Sequence, residues 1–187
     1  MFKKLFVPQN FGNLKVLITA TLFASVSIVC GKFLAFNVGD ILRFSFENLP
    51  IILSGIAFGP LVGAFTGLIA DTVGCLLRGY ALNPILTLAA IFIGFAAGFI
   101  FNITKKWNVY LRLLLIVFLC HAIGSVLIKS YGLSLWYSLP FGATVIERSI
   151  NYLIVAAAEF IFLILLIKNK SFYGQIIKMT GVKNELY

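Results

Sequence analysis

The residues best suited to chemistry in this chain lie between positions 43 and 84, where polar side chains interrupt an otherwise apolar sequence. Asp71 is the clearest case, because it directly follows the apolar run Leu68-Ile69-Ala70. A charged side chain in hydrocarbon costs roughly 2.5–3.5 kcal/mol on insertion scales, so Asp71 must face protein, water or a bound solute. We predict that this stretch forms a ligand pocket and that Asp71 contacts the ligand or organises the pocket. The alternative is a structural hydrogen bond to a neighbouring helix.

Cations and aromatic rings cluster near the predicted ends of the helices. Arg43 and Arg78 flank the second and third predicted helices, Trp136 lies in the predicted loop before the last one, and Arg148 and Asn151 lie just inside that helix. Guanidinium groups bind carboxylates through paired hydrogen bonds, and aromatic rings stack on flat heterocycles. This mixture favours an anionic solute with a planar ring. Interfacial aromatic belts and ordinary ion pairs account for the same residues equally well.

Small residues recur every four positions in two predicted helices. Gly59, Gly63 and Gly67 lie along one face of the third helix, and Ala20 and Ala24 share a face of the first. Such faces allow the backbones of two helices to approach closely. For the glycines we expect helix packing. For the first helix, packing within the chain and docking of a partner both stay open.

Catalytic and nucleotide-binding motifs are missing from the sequence. The pairs Ser54-Gly55 and Gly124-Ser125 do not form the G-x-S-G motif of intramembrane serine proteases, and the base would have to be His121. The sequence has no phosphate-binding G-x-x-x-x-G-K-[ST] loop, no carboxylate cluster and no metal-ligand spacing among its three cysteines. We predict no enzyme activity, no metal site and no cofactor in this chain. Transport against a gradient would take its energy from an ion or from a partner.

Two further titratable residues lie in predicted helices, His121 and Glu159. We expect His121 to be a hydrogen-bonded packing residue, because no carboxylate follows it at helical spacing. Glu159 needs a partner or water inside the membrane. An inter-helix polar clamp or subunit contact and an ion-coupling role stay equally open for it.

The composition places the chain in a membrane. Hydrophobic residues make up 61% of it and the mean hydropathy is +1.05, both far above the values of soluble domains. We predict an all-α integral membrane protein, one membrane domain of residues 1–187 that forms a bundle of six transmembrane helices. The predicted spans are about 14–36, 45–58, 60–78, 84–104, 110–130 and 142–168. The second span is too short to cross about 30 Å of hydrocarbon as a straight helix.

The distribution of charge predicts the orientation. Lysine and arginine concentrate on the side of the bundle that holds both termini, so the positive-inside rule places both termini in the cytoplasm. The net charge of +9 then meets anionic lipid headgroups, and we expect no nucleic-acid partner. The first apolar run is too long for a signal peptide, and we predict that it is retained. These features predict a multi-pass protein of the cell membrane.

Part of the sequence resembles a known family. The run Leu42-Arg43-Phe44-Ser45-Phe46-Glu47-Asn48-Leu49-Pro50 and its continuation to Gly59-Pro60, with Gly67-Leu68-Ile69-Ala70-Asp71 and Asn83-Pro84-Ile85, carry the resemblance. It is similar to the substrate-binding S components of energy-coupling factor (ECF) vitamin transporters, and most similar to the folate family. The similarity covers the second to fourth helices, while the last two match only in layout. Ala20 and Ala24 resemble the A-x-x-x-A motif through which the family's first helix docks on the coupling subunit.

The resemblance implies a function and a set of site residues. The chain would bind a vitamin from outside, dock on a shared transmembrane coupling subunit and topple in the membrane, while two ATPase subunits use ATP. Because family pockets are formed by outer loops and outer helix ends, the candidates are Arg43, Glu47, Asp71, Arg78, Tyr80, Asn83, Trp136, Arg148 and Asn151. In a folate site, Asp71 and Asn83 would bind the pterin edge. Arg43 and Arg78 would bind the glutamate carboxylates.

We expect high-affinity folate uptake in the bacterial cytoplasmic membrane, with two alternatives. The last helix carries no folate signature, which leaves S components for pantothenate, thiamine, riboflavin or a related vitamin open. The second alternative is a stand-alone ion-coupled carrier that uses Asp71 and Glu159 as a relay. The sequence shows neither the inverted repeat nor the paired broken helices typical of such carriers.

Overall fold

The computed structural model describes residues 14–32, 35–38, 42–169, 171 and 174–175. In chain order its elements are α1 (Leu14–Lys32), β1 (Phe36–Val38), β2 (Leu42–Phe44), α2 (Asn48–Phe58), α3 (Pro60–Arg78), α4 (Pro84–Ile103), α5 (Val109–Leu119), a π-helical segment π1 (Cys120–Ile128), α6 (Lys129–Tyr137) and α7 (Phe141–Lys168). Helices α5, π1 and α6 follow one another without a break, so Val109–Tyr137 is one helical stretch of 29 residues. The protein is therefore predominantly helical.

Five helical stretches in the described part of the chain are long and apolar enough to cross a membrane. They are Leu14–Gly31 in α1, Pro60–Arg78, Pro84–Ile103, Val109–Tyr137 and Phe141–Lys168. The sixth apolar helix, α2, has 11 residues. At 1.5 Å per residue it is too short to span about 30 Å of hydrocarbon. The structure thus supports five spanning helices where the sequence predicted six, and the cytoplasmic placement of both termini stays a prediction.

A short β-hairpin corrects the predicted end of the first span. That span was expected to reach residue 36, but α1 ends at Lys32 and β1 pairs antiparallel with β2, with Phe36 opposite Phe44. The two phenylalanine rings stack with their centroids 5.3 Å apart. Apolar length alone does not distinguish a helix from a strand, and aromatic and β-branched residues favour strands. The description as all-α therefore holds except for this hairpin.

The fifth predicted span, 110–130, is also wrong at its end. The helix continues to Tyr137, so Trp136 and Tyr137 lie in the last turn of α6 and not in a loop. The apolar run does stop at Lys129 in the sequence, but the Lys129 ammonium is paired with Glu47 and the side chain is buried. Lysine is a good helix former, so the helix continues through this position. It ends where Ser138 adopts a left-handed conformation with φ 54°.

Close contacts between glycines hold α2, α3 and α4 together. A Cβ atom added at Gly63 would overlap the backbone of Gly94, and one added at Gly67 would overlap the backbone of Ala90. Gly98 packs in the same way against the Gly59-Pro60 corner between α2 and α3. The glycine face of α3 is thus used for helix packing, as expected. This packing fixes the positions of the helix ends that surround the cavity described next.

Candidate functional site

A cavity of about 280 Å³ lies at the end of the bundle where α1 ends and α2 begins. The end of α3, the start of α4, helix α6 and the start of α7 complete its wall. Its volume is close to the lower limit of about 300 Å³ for small-molecule sites. Six of the nine predicted ligand-binding residues line it, and these are Glu47, Asp71, Arg78, Tyr80, Arg148 and Asn151. Their role as ligand contacts stays a prediction.

Three charged residues form the centre of the cavity wall. Lys129 Nζ donates a hydrogen bond to Glu47 Oε1 at 3.1 Å, and Arg78 Nη2 lies 3.8 Å from Glu47 Oε2. These contacts connect the segment before α2 with the end of α3 and the start of α6. Two cations share one carboxylate here, and Arg148 also lines the cavity. The arrangement can accept an anionic group that competes with Glu47.

Asp71 combines the two roles that its sequence left open. Its Oδ2 atom accepts a hydrogen bond of 2.7 Å from Thr87 Oγ1 on α4, so a structural bond between helices is present. Asp71 also lines the cavity. In the described part of the chain its Oδ1 atom has no hydrogen-bond donor. The carboxylate is therefore held by one oxygen and can accept from a ligand with the other.

Asn48 is a cavity residue that the sequence prediction missed. The side chain is 1% exposed, and its Nδ2 donates to Ser125 Oγ at 3.3 Å. Its buried Oδ1 has no donor among the described residues. A buried acceptor without a donor is costly, so a bound N–H or O–H group would be stabilised at this position. Asn48 lies inside the stretch of residues 43–84 that interrupts the apolar sequence, so the sequence did contain a signal for it.

Lys129 is a second cavity residue that the sequence prediction missed. It lies inside the helical stretch Val109–Tyr137, which continues for eight residues beyond it. A cation in such a position needs a partner or a ligand.

Tyr137 and Tyr152 complete the aromatic part of the wall. Tyr152 stacks on His121 with ring centroids 5.0 Å apart.

Three of the predicted ligand contacts lie elsewhere or outside the described side chains. Asn83 is 2% exposed and caps α4, with its Oδ1 accepting from Ile85 N and its Nδ2 donating to Gly132 O. Trp136 is 49% exposed and does not line the cavity. The backbone of Arg43 lies in β2, but its side chain is outside the described part of the structure. For Asn83 and Trp136 the geometry gives no support to the predicted ligand contact.

A buried hydrogen-bond chain runs from the cavity wall into the bundle. Ser125 Oγ lies 3.2 Å from His121 Nδ1, and His121 Nε2 lies 2.7 Å from Glu159 Oε2. Arg148 Nη1 donates to the carbonyl oxygen of Ser125 at 3.3 Å. His121 is thus a hydrogen-bonded buried residue, and Glu159 clamps α7 to π1. The partner of His121 comes from another helix, which spacing along its own helix could not indicate.

The predicted partner-binding face of α1 faces the interior. Ala20 and Ala24 are 7% and 1% exposed, and Ala20 packs in a cluster with Ala57, Phe58 and Val62. The structure therefore supports internal packing, which was the other interpretation of this face. A docking role for these two side chains stays a prediction without support from the geometry.

Comparison with known proteins identifies related sequences over most of the chain. The family model of the ECF transporter substrate-specific component matches residues 15–178. The folate transporter FolT of Clostridium novyi (strain NT) is 30% identical over 150 residues, which cover 79% of this chain and 83% of that protein. The MG313 homolog of Mycoplasma pneumoniae is 40% identical over 68 residues, which cover 36% of this chain and 24% of that longer protein.

Solved structures share the fold. The crystal structure of FolT bound with folic acid superposes with a TM-score of 0.66 at 25% identity, covering 91% of this chain and 95% of that one. The structure of ThiT from Listeria monocytogenes gives a TM-score of 0.65 at 19% identity, covering 83% and 94%. The second likeness concerns the fold alone.

Proposed function

We propose, starting from the fact that this chain belongs to the family of ECF transporter substrate-specific components, that it binds folate in the cavity between α1, α2, α3, α6 and α7. The family consists of transporter components that bind a substrate and are not enzymes, and the chain is a multi-pass protein of the cell membrane. The main support for the folate proposal is the composition of the cavity wall. In a chain similar to FolT, the wall combines hydrogen-bond acceptors that lack donors with cations that can bind carboxylates.

The acceptors suit the ring of folate. A pterin presents an amino group and a ring N–H on one edge, and both are hydrogen-bond donors. Asp71 Oδ1 and Asn48 Oδ1 are acceptors that lack donors within the described residues. We assign them to the pterin edge, while Tyr137 and Tyr80 are placed to stack on its faces. Asn48 thereby replaces Asn83, whose amide is used by the α4 cap.

The cations suit the glutamate tail of folate. Arg78 and Lys129 share Glu47, and the Arg78 contact of 3.8 Å is longer than a direct hydrogen bond. A ligand carboxylate can therefore join this cluster at the expense of the Arg78–Glu47 contact. Since the cavity is near the lower size limit for a small-molecule site, the ring and the carboxylate bound by these cations occupy it, and the second carboxylate of the tail lies at its mouth.

We place the cavity on the outer side of the membrane and both termini in the cytoplasm. The short helix α2 starts at the cavity and α3 ends there, so α2 returns the chain into the bundle without spanning the membrane. At the end of the bundle opposite the cavity, exposed lysines are abundant, among them Lys15, Lys105, Lys106 and Lys168. The positive-inside rule assigns that end to the cytoplasm. The whole chain, residues 1–187, then forms one membrane domain in the bacterial cytoplasmic membrane.

Uptake requires partners that supply energy. The family and the missing phosphate-binding loop point to a transmembrane coupling subunit and two ATPase subunits that use ATP. On α1 we assign docking to the exposed side, where Thr21 and Ser25 lie one turn apart. Their hydroxyl groups donate to the carbonyl oxygens of Leu17 and Thr21. Both side chains are therefore small, have their hydrogen bonds formed within α1, and allow a partner helix to approach closely.

The stand-alone carrier is the less favoured candidate. It requires Asp71 and Glu159 to act in one relay, but Asp71 is bonded to Thr87 and Glu159 to His121. No hydrogen-bond chain among the described residues connects the two carboxylates. An S component for another vitamin stays the closer alternative.

Reconstitution tests the transport proposal. Liposomes that contain only this chain should bind radiolabelled folate without accumulating it, under an imposed proton or sodium gradient and without one. Adding an ECF coupling subunit with its two ATPases should produce accumulation that requires ATP hydrolysis. Accumulation by the lone chain under an ion gradient would contradict the proposal and favour the carrier.

A further inference from the structure

A second cavity, of about 510 Å³, lies at the opposite end of the bundle from the folate site. Helix α4 runs from one cavity to the other. Leu86 in its first turn lines the first cavity, and its last residue, Ile103, lies beside the second. The wall of the second cavity is formed by the turn between α4 and α5, the start of α5 and the end of α7. Nothing in the proposed folate transport uses this cavity.

Arg112 is the innermost cation of this wall and is only 3% exposed. Its Nη2 donates to the carbonyl oxygen of Phe101 at 2.7 Å, and the guanidinium carbon lies 3.7 Å from the centroid of the Phe101 ring. Its buried Nε has no acceptor among the described residues. A buried charge without a counter-ion is strongly unfavourable, so an anion in the adjacent cavity would stabilise Arg112.

Three lysines surround the same cavity. Lys105 and Lys106 come from the turn after α4, and Lys168 is the last residue of α7, with its Nζ 5.3 Å from the centroid of the Tyr110 ring. None of the eleven residues that line the cavity is a carboxylate, and none of these lysines forms an ion pair within the described part of the chain. Four cations around one void form a site for a phosphate group.

Most of the remaining wall is apolar, which favours a lipid over a free anion. Leu113, Ile164 and Ile167 line the cavity on the side of the bundle interior. Leu114 and Leu165, which follow the lining residues Leu113 and Ile164 in the sequence, are 52% and 60% exposed. Trp107 and Tyr110 at its rim are residue types that prefer the level of the headgroups. An inorganic anion would leave the exposed parts of Trp107, Tyr110 and Ile164 uncovered.

We propose that this cavity binds the phosphodiester headgroup of an anionic lipid such as phosphatidylglycerol. Arg112 contacts the phosphate and the three lysines enclose it, while the proximal part of an acyl chain covers the exposed part of Ile164. Basic pockets between helices at the cytoplasmic face of membrane proteins are suited to such headgroups. The site is independent of the proposed folate binding.

Native mass spectrometry of the full chain in detergent, with equal amounts of dioleoyl phosphatidylglycerol and dioleoyl phosphatidylcholine, tests this proposal. We expect the wild-type protein to retain phosphatidylglycerol preferentially. The preference should fall about tenfold in Arg112→Gln, because one buried charged contact is lost. The triple variant Lys105→Gln, Lys106→Gln, Lys168→Gln should show a similar fall. Lys15→Gln removes one charge from the same end of the bundle, outside the cavity, and should retain the wild-type preference.

The triple variant decides the test if Arg112→Gln does not yield a monodisperse helical protein. Equal retention of the two lipids by the wild-type protein would overturn the proposal. So would a phosphatidylglycerol preference that the triple variant keeps, or one that Lys15→Gln reduces as strongly as the triple variant. Displacement of the lipid by millimolar inorganic phosphate would also overturn it, because the site would then bind a free anion and not a lipid.

Discussion

Lys129 donates a hydrogen bond to Glu47 across the cavity, with Nζ 3.1 Å from Oε1, although the two residues are 82 positions apart in the sequence. The bond joins the segment before α2 to the first residue of α6. Lys129 is buried in this structure, and Glu47 also contacts Arg78. Any carboxylate that enters the cavity must share these two cations with Glu47.

The first prediction concerns the cations of this cluster. Lys129→Gln or Arg78→Gln should weaken folate binding about tenfold, because each change removes one charged hydrogen bond to the ligand carboxylate. A pterin analogue without glutamate should bind both variants as it binds the wild-type protein. Calorimetry with the two ligands measures the difference, and Lys106→Gln at the other end of the bundle is the matched control. Equal loss of both ligands would show that the cations only hold the cavity together.

The second prediction concerns the ring contacts. Asp71→Asn should weaken folate and the pterin analogue alike, by roughly ten- to hundredfold, because a charged acceptor for the pterin is lost. Thr87→Val keeps the carboxylate and removes only the hydrogen bond that orients it. Its effect should be smaller than that of Asp71→Asn. Unchanged affinity in Asp71→Asn would leave Asp71 with a purely structural role.

Local signals in the sequence define several helix ends well. Pro60 and Pro84 occupy the first positions of α3 and α4, where proline is favoured because its missing N–H has no helical partner. Gly79 ends α3 in a left-handed conformation with φ 69°. These helices consequently begin and end within one residue of the predicted spans, 60–78 and 84–104. The run of polar residues between positions 43 and 84 likewise pointed to much of the cavity wall.

Contacts between distant segments could not be predicted in this way. Lys129 pairs with Glu47 from the segment before α2, and His121 pairs with Glu159 from α7. The spacing of Ala20 and Ala24 identified a packing face but not its partner, because the same spacing suits contacts inside a chain and between chains. The side-chain amide of Asn83 caps α4, although the sequence was equally compatible with ligand binding by this side chain.

The third prediction separates the two faces of α1. Ala20→Leu with Ala24→Leu should lower thermal stability and ligand affinity together, because overpacking a buried face forces neighbouring side chains out of their preferred conformations. Thr21→Leu with Ser25→Leu should leave both nearly unchanged and abolish co-purification with the coupling subunit. If the alanine variant stays stable and loses only the coupling subunit, the alanine face is the docking face after all.

The fourth prediction concerns the clamp between α7 and π1. His121→Leu should destabilise the protein by about 1–3 kcal/mol, because the buried Glu159 carboxyl group would lose its hydrogen-bond partner. The double variant His121→Leu, Glu159→Leu should recover much of this loss, since it leaves neither partner unpaired. Unfolding in detergent, followed by circular dichroism, measures the stabilities of the wild-type protein, the single variants His121→Leu and Glu159→Leu, and the double variant. Additive losses in the double variant would show that the two side chains do not act as a pair.

Calorimetric titration of the purified wild-type chain with folate, thiamine, riboflavin and pantothenate tests whether folate is its ligand. We expect one-to-one binding of folate at least a hundredfold tighter than binding of any of the other three, a difference of about 2.7 kcal/mol or more. This binding should need neither ATP nor a second protein. Preferential binding of thiamine, riboflavin or pantothenate, or no folate binding by a correctly folded chain, would contradict the folate assignment.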